Sequence, residues 1–184
     1  INELNSFQEL GNEITIIPRS GKGKIINQDA VKFNSNLIDL SFFDWNIFIF
    51  LLKTIFFKPI LFLKLLKENV KHSNTIIDFI KGLIILPKSI FIAEKLKSKK
   101  IDHIHSLQTT SAAFLAFILS FILKVPWSYT LHTSEILNSR YKRSILFQSR
   151  SASICRTISQ RTTNELSSFI GYPLSEKVVK VHLG

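Results

Sequence analysis

Polar side chains that could bind a sugar or a phosphate follow two strand-like runs, residues 101–107 and 127–131. They are Gln108, Thr109, Thr110, His132, Thr133, Ser134 and Glu135. Imidazole and hydroxyl groups hydrogen-bond to sugar hydroxyls, and a helix predicted to begin after Ser159 offers positive partial charge to a phosphate. These residue types favour sugar or nucleotide chemistry. For His132 two interpretations stay open, a substrate-facing side chain and a strand-end histidine bonded to a backbone carbonyl.

One strand–helix–strand unit carries both runs. An apolar segment of helical length, residues 111–123, lies between them, and Val125 and Pro126 end it. Such a unit builds a parallel sheet with a right-handed crossover, and open α/β sheets bind ligands at the carboxyl edge. We therefore expect the polar residues at that edge.

The second half of the chain continues the alternation of strands and helices. A basic helix is predicted at 140–150, a strand at 152–158, a helix from the N-cap Ser159 to Ile170, and a last strand at 178–182. Alternating elements of this kind predict an α/β fold, a Rossmann-like doubly wound parallel sheet.

The first part of the chain opens on a predicted helix, residues 1–10, and a strand, residues 13–17. A polar stretch follows, in which Gly and Lys alternate at 21–24 without the spacing of a phosphate loop, so a basic loop is predicted there. The length of 184 residues predicts a single domain.

The sequence lacks the motifs of several other kinds of site, namely metal, nucleophile and dinucleotide sites. His103 and His105 alternate in a strand and so share a face, but no H-E-x-x-H or C-x-x-C pattern accompanies them, and no metal site is predicted. Neither the nucleophile motif G-x-S-x-G nor the dinucleotide motif G-x-G-x-x-G occurs. Cys155 lies in an apolar run, which predicts a buried thiol rather than a reactive one.

A long helical insertion is predicted at 38–100, inside the domain. It is the most hydrophobic part of the chain, yet charged residues break every apolar run well short of the roughly 18 residues of a membrane-spanning helix. Pro59 is expected to kink this segment or start a new helix, and two further helices are predicted at 76–86 and 87–97.

Lysines of the insertion fall on one side when it is projected as a single helix. Those within about 60° of one another are Lys53, Lys64, Lys67 and Lys71. Two interpretations stay open, a membrane-surface helix whose lysines meet anionic lipid and a helical hairpin whose lysines face water.

The formal charge is strongly positive, 24 − 13 = +11. Nucleic acid, an anionic membrane surface or phosphorylated substrates could each explain such an excess. Concentration of lysines on phenylalanine-rich helices argues against nucleic acid as the partner. A basic α/β binding module for nucleic acid or anionic membrane, without catalysis, is the alternative function.

Three stretches together resemble the N-terminal domain of family 4 (GT4) glycosyltransferases of the GT-B fold. Residues 101–137 carry a His-x-His-like strand, an apolar helix and a strand ending of the form P-[FYW]-[SV]-x-[TS]-x-H. Residues 151–166 carry an I-S strand end that opens a helix. Residues 171–184 resemble an E-K-[VI]-x-V-x-x-x-G turn, with Lys180 in place of its second valine. The lysine- and phenylalanine-rich insertion resembles the members that build bacterial exopolysaccharide and colanic-acid-type polymers.

The resemblance implies a retaining enzyme of cell-surface polysaccharide synthesis. Such an enzyme moves a sugar from a nucleotide-sugar donor to a lipid-linked or saccharide acceptor, without a cofactor or an obligatory metal. It implies a cytoplasmic protein, peripheral on the inner face of the plasma membrane, with His132 as the catalytic residue facing the donor sugar. It implies Thr133, Ser134, Glu135, Ser159 and Arg161 as substrate-binding residues. Gln108 and Thr109 are added as substrate-binding candidates because they follow the first strand at the same edge.

The chain departs from the family pattern in places. Ser134 and Glu135 stand where many members have histidine and aspartate. The family's first strand with its glycine-rich loop, and the donor-binding domain with its paired glutamates, are expected to lie outside this chain. We therefore expect little turnover from the chain alone. A GT-B nucleotide-sugar epimerase is a further alternative, because it shares the architecture but not the chemistry.

Overall fold

The structure, a computed structural model, divides into two compact units. It describes residues 2–19, 37–41, 44–132 and 139–181. The first unit holds Ile1–Asp44 and Gly184, and the second holds Trp45–Leu183. The basic loop predicted at 21–24 lies outside the described residues.

The first unit contains one described helix, α1, which spans Asn2–Glu9. Gly11 follows it with φ of 81°, the left-handed conformation that commonly ends a helix. Within the described residues, the strand predicted at 13–17 is reduced to a single parallel bridge between Ile16 and Leu37.

The second unit opens with two helices that meet at a sharp bend. α2 spans Trp45–Phe57, α3 spans Pro59–His72, and their axes differ by 109°. Pro59 is the first residue of α3, where a missing N–H costs little, and its ring prevents α2 from continuing. The single-helix projection predicted that the four lysines share one helix face. This is wrong, because the lysines lie on two different helices. Lys53 lies on α2, and Lys64, Lys67 and Lys71 lie on α3.

The next helix, α4, spans Ile76–Leu96, with Thr75 as its N-cap. The sequence predicted two helices that divide at Pro87, and this prediction is wrong, because α4 continues through the proline. Proline removes one backbone hydrogen bond, but Leu86 and Ile90 on either side are buried in the core and hold the helix together by packing.

A four-stranded parallel sheet follows. Its strands are β1 (Ile104–Ser106), β2 (Trp127–Leu131), β3 (Ile154–Thr157) and β4 (Val178–Lys180). The strands lie side by side in the order β1-β2-β3-β4. The connecting helices are α5 (Ser111–Leu123), α6 (Lys142–Ser151) and α7 (Gln160–Ile170), with short 3-10 helices at Ser139–Tyr141 and Leu174–Lys177. The predicted Rossmann-like α/β fold is confirmed, and the bounds of α5 and β2 are as predicted.

The connecting helices pack on one face of the sheet. Trp127 of β2 packs edge-on against Phe117 of α5, with ring centroids 6.2 Å apart. Tyr129 Oη of β2 hydrogen-bonds to Ser149 Oγ of α6 at 2.8 Å, and Thr157 of β3 hydrogen-bonds to a threonine hydroxyl of α7 at 2.7 Å. Residues 127, 129 and 157 point to the same side because side chains alternate along paired strands.

The core lies between this face and the helices. Each helix from α3 to α7 contributes buried apolar side chains: Leu65, Leu86, Phe114, Ile145 and Leu166. Cys155 of β3 is fully buried among them, as predicted, and burial raises the pKa of its thiol.

Membrane-spanning potential is limited in the described ranges. No single helix there is both long and apolar enough to cross a bilayer. The pair α2 and α3 meets the criterion of length and composition only when both helices are taken together across their bend. α5 is apolar but has only 13 residues.

Candidate functional site

The carboxyl ends of three strands meet at one edge of the sheet. Parallel pairing aligns Ser106 with Tyr129 and Leu131 with Thr157. The segments that follow the strands therefore leave from the same edge. Of the predicted site residues, the structure brings Gln108, Thr109, His132, Ser159 and Arg161 to this edge. Thr133, Ser134 and Glu135 lie outside the described residues.

His132 follows the last residue of β2 and reaches across to the loop after β1. Its Nε2 lies 3.3 Å from the carbonyl oxygen of Leu107, to which it donates a hydrogen bond. This is the carbonyl-bonded geometry that the sequence left open as one interpretation. Donation from Nε2 leaves Nδ1 of a neutral ring as a hydrogen-bond acceptor, so the ring retains one atom for a substrate hydroxyl.

The loop after β1 combines an exposed side chain, a buried one and a strained backbone. The Gln108 side chain is exposed, and the backbone carbonyl of Gln108 accepts a hydrogen bond from Ser106 Oγ at 2.6 Å. Thr109 is buried, and its hydroxyl has no hydrogen-bond partner among the described residues. Thr110, the residue before α5, has φ of 64° and ψ of −125°, a conformation unfavourable for a β-branched residue. Such strain persists only where surrounding structure imposes it, and it clusters at functional sites.

The strained residue Thr110 directly precedes the N-terminus of α5. Thr110 provides no side-chain hydrogen bond to the first turn of α5. The first N–H groups of a helix have no partner within the helix, and together with the helix dipole they attract anions. The edge therefore presents N–H donors and positive partial charge beside His132.

Ser159 and Arg161 lie at the start of α7. Ser159 is its N-cap, as predicted, because Ser159 Oγ accepts a hydrogen bond from the Thr162 backbone N–H at 3.1 Å. Arg161 is largely exposed, and its Nε donates to Glu165 Oε1 at 2.7 Å. The serine hydroxyl is thus occupied in capping, whereas the arginine can exchange its surface ion pair for a substrate phosphate at small cost.

The predicted membrane-surface lysines lie apart from the edge, on α2 and α3. Lys53, Lys64 and Lys67 are exposed, and Lys71 pairs with Glu68, with its Nζ 2.6 Å from Oε1. Their role stays a prediction.

A buried histidine that the sequence did not single out lies behind the edge loop. His72, the last residue of α3, stacks on Phe114 of α5 with ring centroids 4.5 Å apart. Its Nε2 hydrogen-bonds to Ser144 Oγ at 2.8 Å, and Gln148 Nε2 lies 3.3 Å away. Burial lowers the pKa of His72 from 6.5 to about 4, against the opposing effect of Asp78. His72 is therefore neutral at pH 7. Its pKa is lowered by burial among side chains that are distant in sequence, not by its neighbours along the chain.

A small cavity lies beside His72 and the edge loop. Its volume is about 20 Å³, and its lining includes His72, Asn74, Asp78, Thr110 and Tyr141. This is room for about one water molecule and not for a sugar ring.

The sheet face opposite the helices carries a group of polar side chains, which we call the polar row. Ser128 Oγ lies 2.7 Å from both His103 Nε2 and His105 Nδ1. His105 Nε2 lies 3.0 Å from Thr130 Oγ1 and 3.5 Å from Arg156 Nη1. His103 and His105 share a face, as predicted. In the described part of the chain, no group of three or more His, Cys, Asp or Glu side chains could hold a metal ion.

Comparison with known proteins adds no assignment to this geometry. No protein-family model matches the chain. No curated protein matches it either. The residues at the sheet edge and their contacts are thus the basis for a functional proposal.

Proposed function

We propose that this chain is the acceptor-side half of a retaining glycosyltransferase of cell-surface polysaccharide synthesis. The donor is a nucleotide sugar, and the acceptor is a lipid-linked or free saccharide at the cytoplasmic face of the plasma membrane. No cofactor is part of the proposal. It rests on the ordered resemblance described above and on a parallel sheet whose carboxyl edge carries the residues concerned.

The observation that carries the proposal is the position of His132. It directly follows the second strand of the sheet, and its hydrogen bond to the Leu107 carbonyl fixes the ring beside the loop of Gln108 and Thr109. With Nε2 engaged, Nδ1 accepts a hydrogen bond from a hydroxyl of the donor sugar. A histidine oriented in this way positions the sugar for transfer, which is the role that the resemblance implies.

Two helix N-termini at the same edge support phosphate chemistry. α5 begins at Ser111, and its N-cap Thr110 gives no side-chain hydrogen bond; α7 begins at Gln160, next to Arg161. Each presents positive partial charge on its first turn. A sugar phosphate or a lipid-linked diphosphate is the kind of acceptor group that this edge would attract.

The test is a transfer assay on the protein encoded by the complete reading frame that contains this chain. Membranes from the native host supply lipid-linked acceptors, and a panel of radiolabelled nucleotide sugars supplies donors. We expect transfer from one donor, and we expect His132→Ala to lower kcat by about 100-fold or more, as loss of a substrate-positioning hydrogen bond in an active site does.

His103→Ala is the matched control, because His103 is bonded to Ser128 in the polar row rather than at the edge. It should retain most of the activity, with folding of both variants checked by circular dichroism. Absence of transfer from every donor, or an equal loss in both histidine variants, would show that the proposal is wrong.

A further inference from the structure

One side of α2 is an exposed stripe of large apolar side chains. The apolar stripe consists of Trp45, Phe48, Ile49, Leu52, Ile55 and Phe56. At 100° per residue these six side chains lie within about 120° of one another. Phe56 is 85% exposed and Trp45 71% exposed, so the stripe is in contact with solvent over the length of the helix.

The opposite side of α2 is packed into the protein. Ile47 and Thr54 are 1% and 4% exposed and project away from the stripe. On α3, Leu65 is fully buried in the core. The two helices are therefore held firmly, and exposure of the stripe is not a result of loose packing. A contiguous apolar patch of this kind marks a surface that binds a protein or a membrane.

The helix pair that carries the stripe has a positive net charge. α2, α3 and the residue that joins them contain five lysines and one acidic residue, Glu68, which gives a net charge of 5 − 1 = +4. Lys71 pairs with Glu68, and Lys58 lies 3.6 Å from Glu94 of α4. Lys53, Lys64 and Lys67 form no salt bridge among the described residues, and all three are exposed.

We propose that α2 and α3 dock on an anionic lipid bilayer. The apolar stripe enters the boundary between headgroups and acyl chains, to a depth of roughly 5–10 Å. Lys53, Lys64 and Lys67 lie against the phosphate groups at either side of it. The proposal does not depend on the transferase chemistry, because it concerns a different surface and a different ligand.

A bilayer surface fits these helices better than a transmembrane position does. A spanning segment contacts lipid along about 30 Å, whereas α2 and α3 are each about 20 Å long and diverge by 109°. Each also buries one side in the protein. An amphipathic helix with a wide apolar face and flanking lysines instead lies in the plane of the interface. Tryptophan at the start of α2 favours the same depth, because its ring prefers the headgroup region.

The two tryptophans of the chain provide a direct measurement of docking. Trp45 belongs to the stripe, whereas Trp127 is 2% exposed in the core. Vesicles of phosphatidylcholine with 30 mol% phosphatidylglycerol, prepared with brominated acyl groups, should quench the tryptophan fluorescence of the protein. Trp45→Phe should abolish this quenching, and vesicles of phosphatidylcholine alone should give little of it at low salt.

The apolar contribution is tested by the pair Leu52→Ser and Phe56→Ser, one turn apart on the stripe. Loss of two inserted apolar side chains should weaken partitioning by at least about 50-fold. The matched control is Ile76→Ser with Ile80→Ser, since these residues are also exposed and one turn apart, but on α4. The control pair should change partitioning less than about threefold, because surface substitutions away from the contact have small effects.

The electrostatic contribution is tested by Lys64→Gln with Lys67→Gln. At low salt this pair should weaken binding by roughly 30-fold, since each lysine near an anionic surface contributes about 1 kcal/mol. Lys124→Gln with Lys180→Gln removes the same charge from exposed positions outside α2 and α3, and should have a much smaller effect.

Three results would overturn the proposal. The first is unquenched Trp45 on anionic vesicles. The second is equal weakening by the stripe pair and the α4 pair, which would mean that the stripe is not the contact. The third is a dimer that the stripe variants convert to monomer without any effect on lipid binding, which would make a second copy of this chain the occupant of the stripe.

Discussion

His72 shows how burial alone changes the chemistry of one residue. Packing against Phe114 and Phe147 removes the ring from water, which favours the neutral form. Its hydrogen bond to Ser144 connects α3 to α6 without needing a charge. His72 therefore stabilises the folded protein at pH 7, and its protonation in acid destabilises it.

Stability should fall in acid because of this residue. The pKa of His72 is about 4 in the folded protein and near 6.5 when unfolded, so the unfolded state binds the extra proton first. Stability is then complete above pH 6.5 and is lost progressively as the pH falls toward 4. Between pH 7 and pH 5 the loss from His72 should be about 2 kcal/mol, measured by urea unfolding.

His72→Gln is the control for that measurement. The variant should be less stable at pH 7 but should show a much smaller loss between pH 7 and pH 5. Because burial also lowers the pKa of His103, some pH dependence should remain. An unchanged slope in the variant would mean that His72 is not the group responsible.

Thr110 provides a second test at the residue scale. Its φ of 64° with ψ of −125° is accessible to glycine but strained for a β-branched residue. Thr110→Gly should therefore be more stable than Thr110→Ala by about 1 kcal/mol in thermal or urea unfolding, although both remove the side chain. Equal stability of the two variants would show that the backbone here is not strained.

Among single residues, the sequence predicted those whose local pattern is decisive. Ser159 as N-cap and Cys155 as a buried thiol follow from their neighbours in the chain. The carbonyl bond of His132 was one of two open interpretations. His72 was not identified, because its partners Ser144 and Phe114 are more than 40 positions away in sequence and only the packing of α3 against α5 and α6 brings them together.

At the scale of elements, Gly82 of α4 packs directly against Asn69 of α3. A Cβ placed at Gly82 would overlap Asn69 Oδ1, and Asn69 is fully buried and donates a hydrogen bond to the Phe79 carbonyl at 3.0 Å. Gly82→Ala should therefore destabilise the protein by about 2 kcal/mol, despite the better helix propensity of alanine.

A double-mutant cycle separates this clash from other effects. Asn69→Ala makes room for the new methyl group, so the double variant should be more stable than the sum of the single changes by at least about 1 kcal/mol. Strict additivity in urea unfolding would mean that the two side chains do not compete for the same space.

The two prolines of the helical insertion act differently: Pro59 begins a helix, whereas Pro87 lies inside one. Tertiary packing explains the difference. Pro59 begins α3 as expected, because the chain turns there and both neighbours of the bend are exposed. Pro87 was expected to divide a helix, but Leu86 and Ile90 anchor both sides in the same core. Local propensity predicts where a helix can stop, whereas packing decides whether it does.

For the whole molecule, the alternation of strands and helices predicted the parallel sheet and the edge at which the candidate residues gather. The polar row could not be predicted, because strands of parallel sheets are usually apolar on both faces. His105, Ser128 and Arg156 are brought together only by the register of three strands. Strand register is a property of the sheet that no single segment encodes.

The order β1-β2-β3-β4 also has a consequence for how the protein is made. Among the four described strands, each pairs with the strand that follows it in sequence, so each pairing closes the loop of a single crossover connection. A loop that contains a single crossover costs less entropy to close than one that contains several. Each of these strands can therefore be added at the free edge of the growing sheet, and none has to insert between two that are already paired.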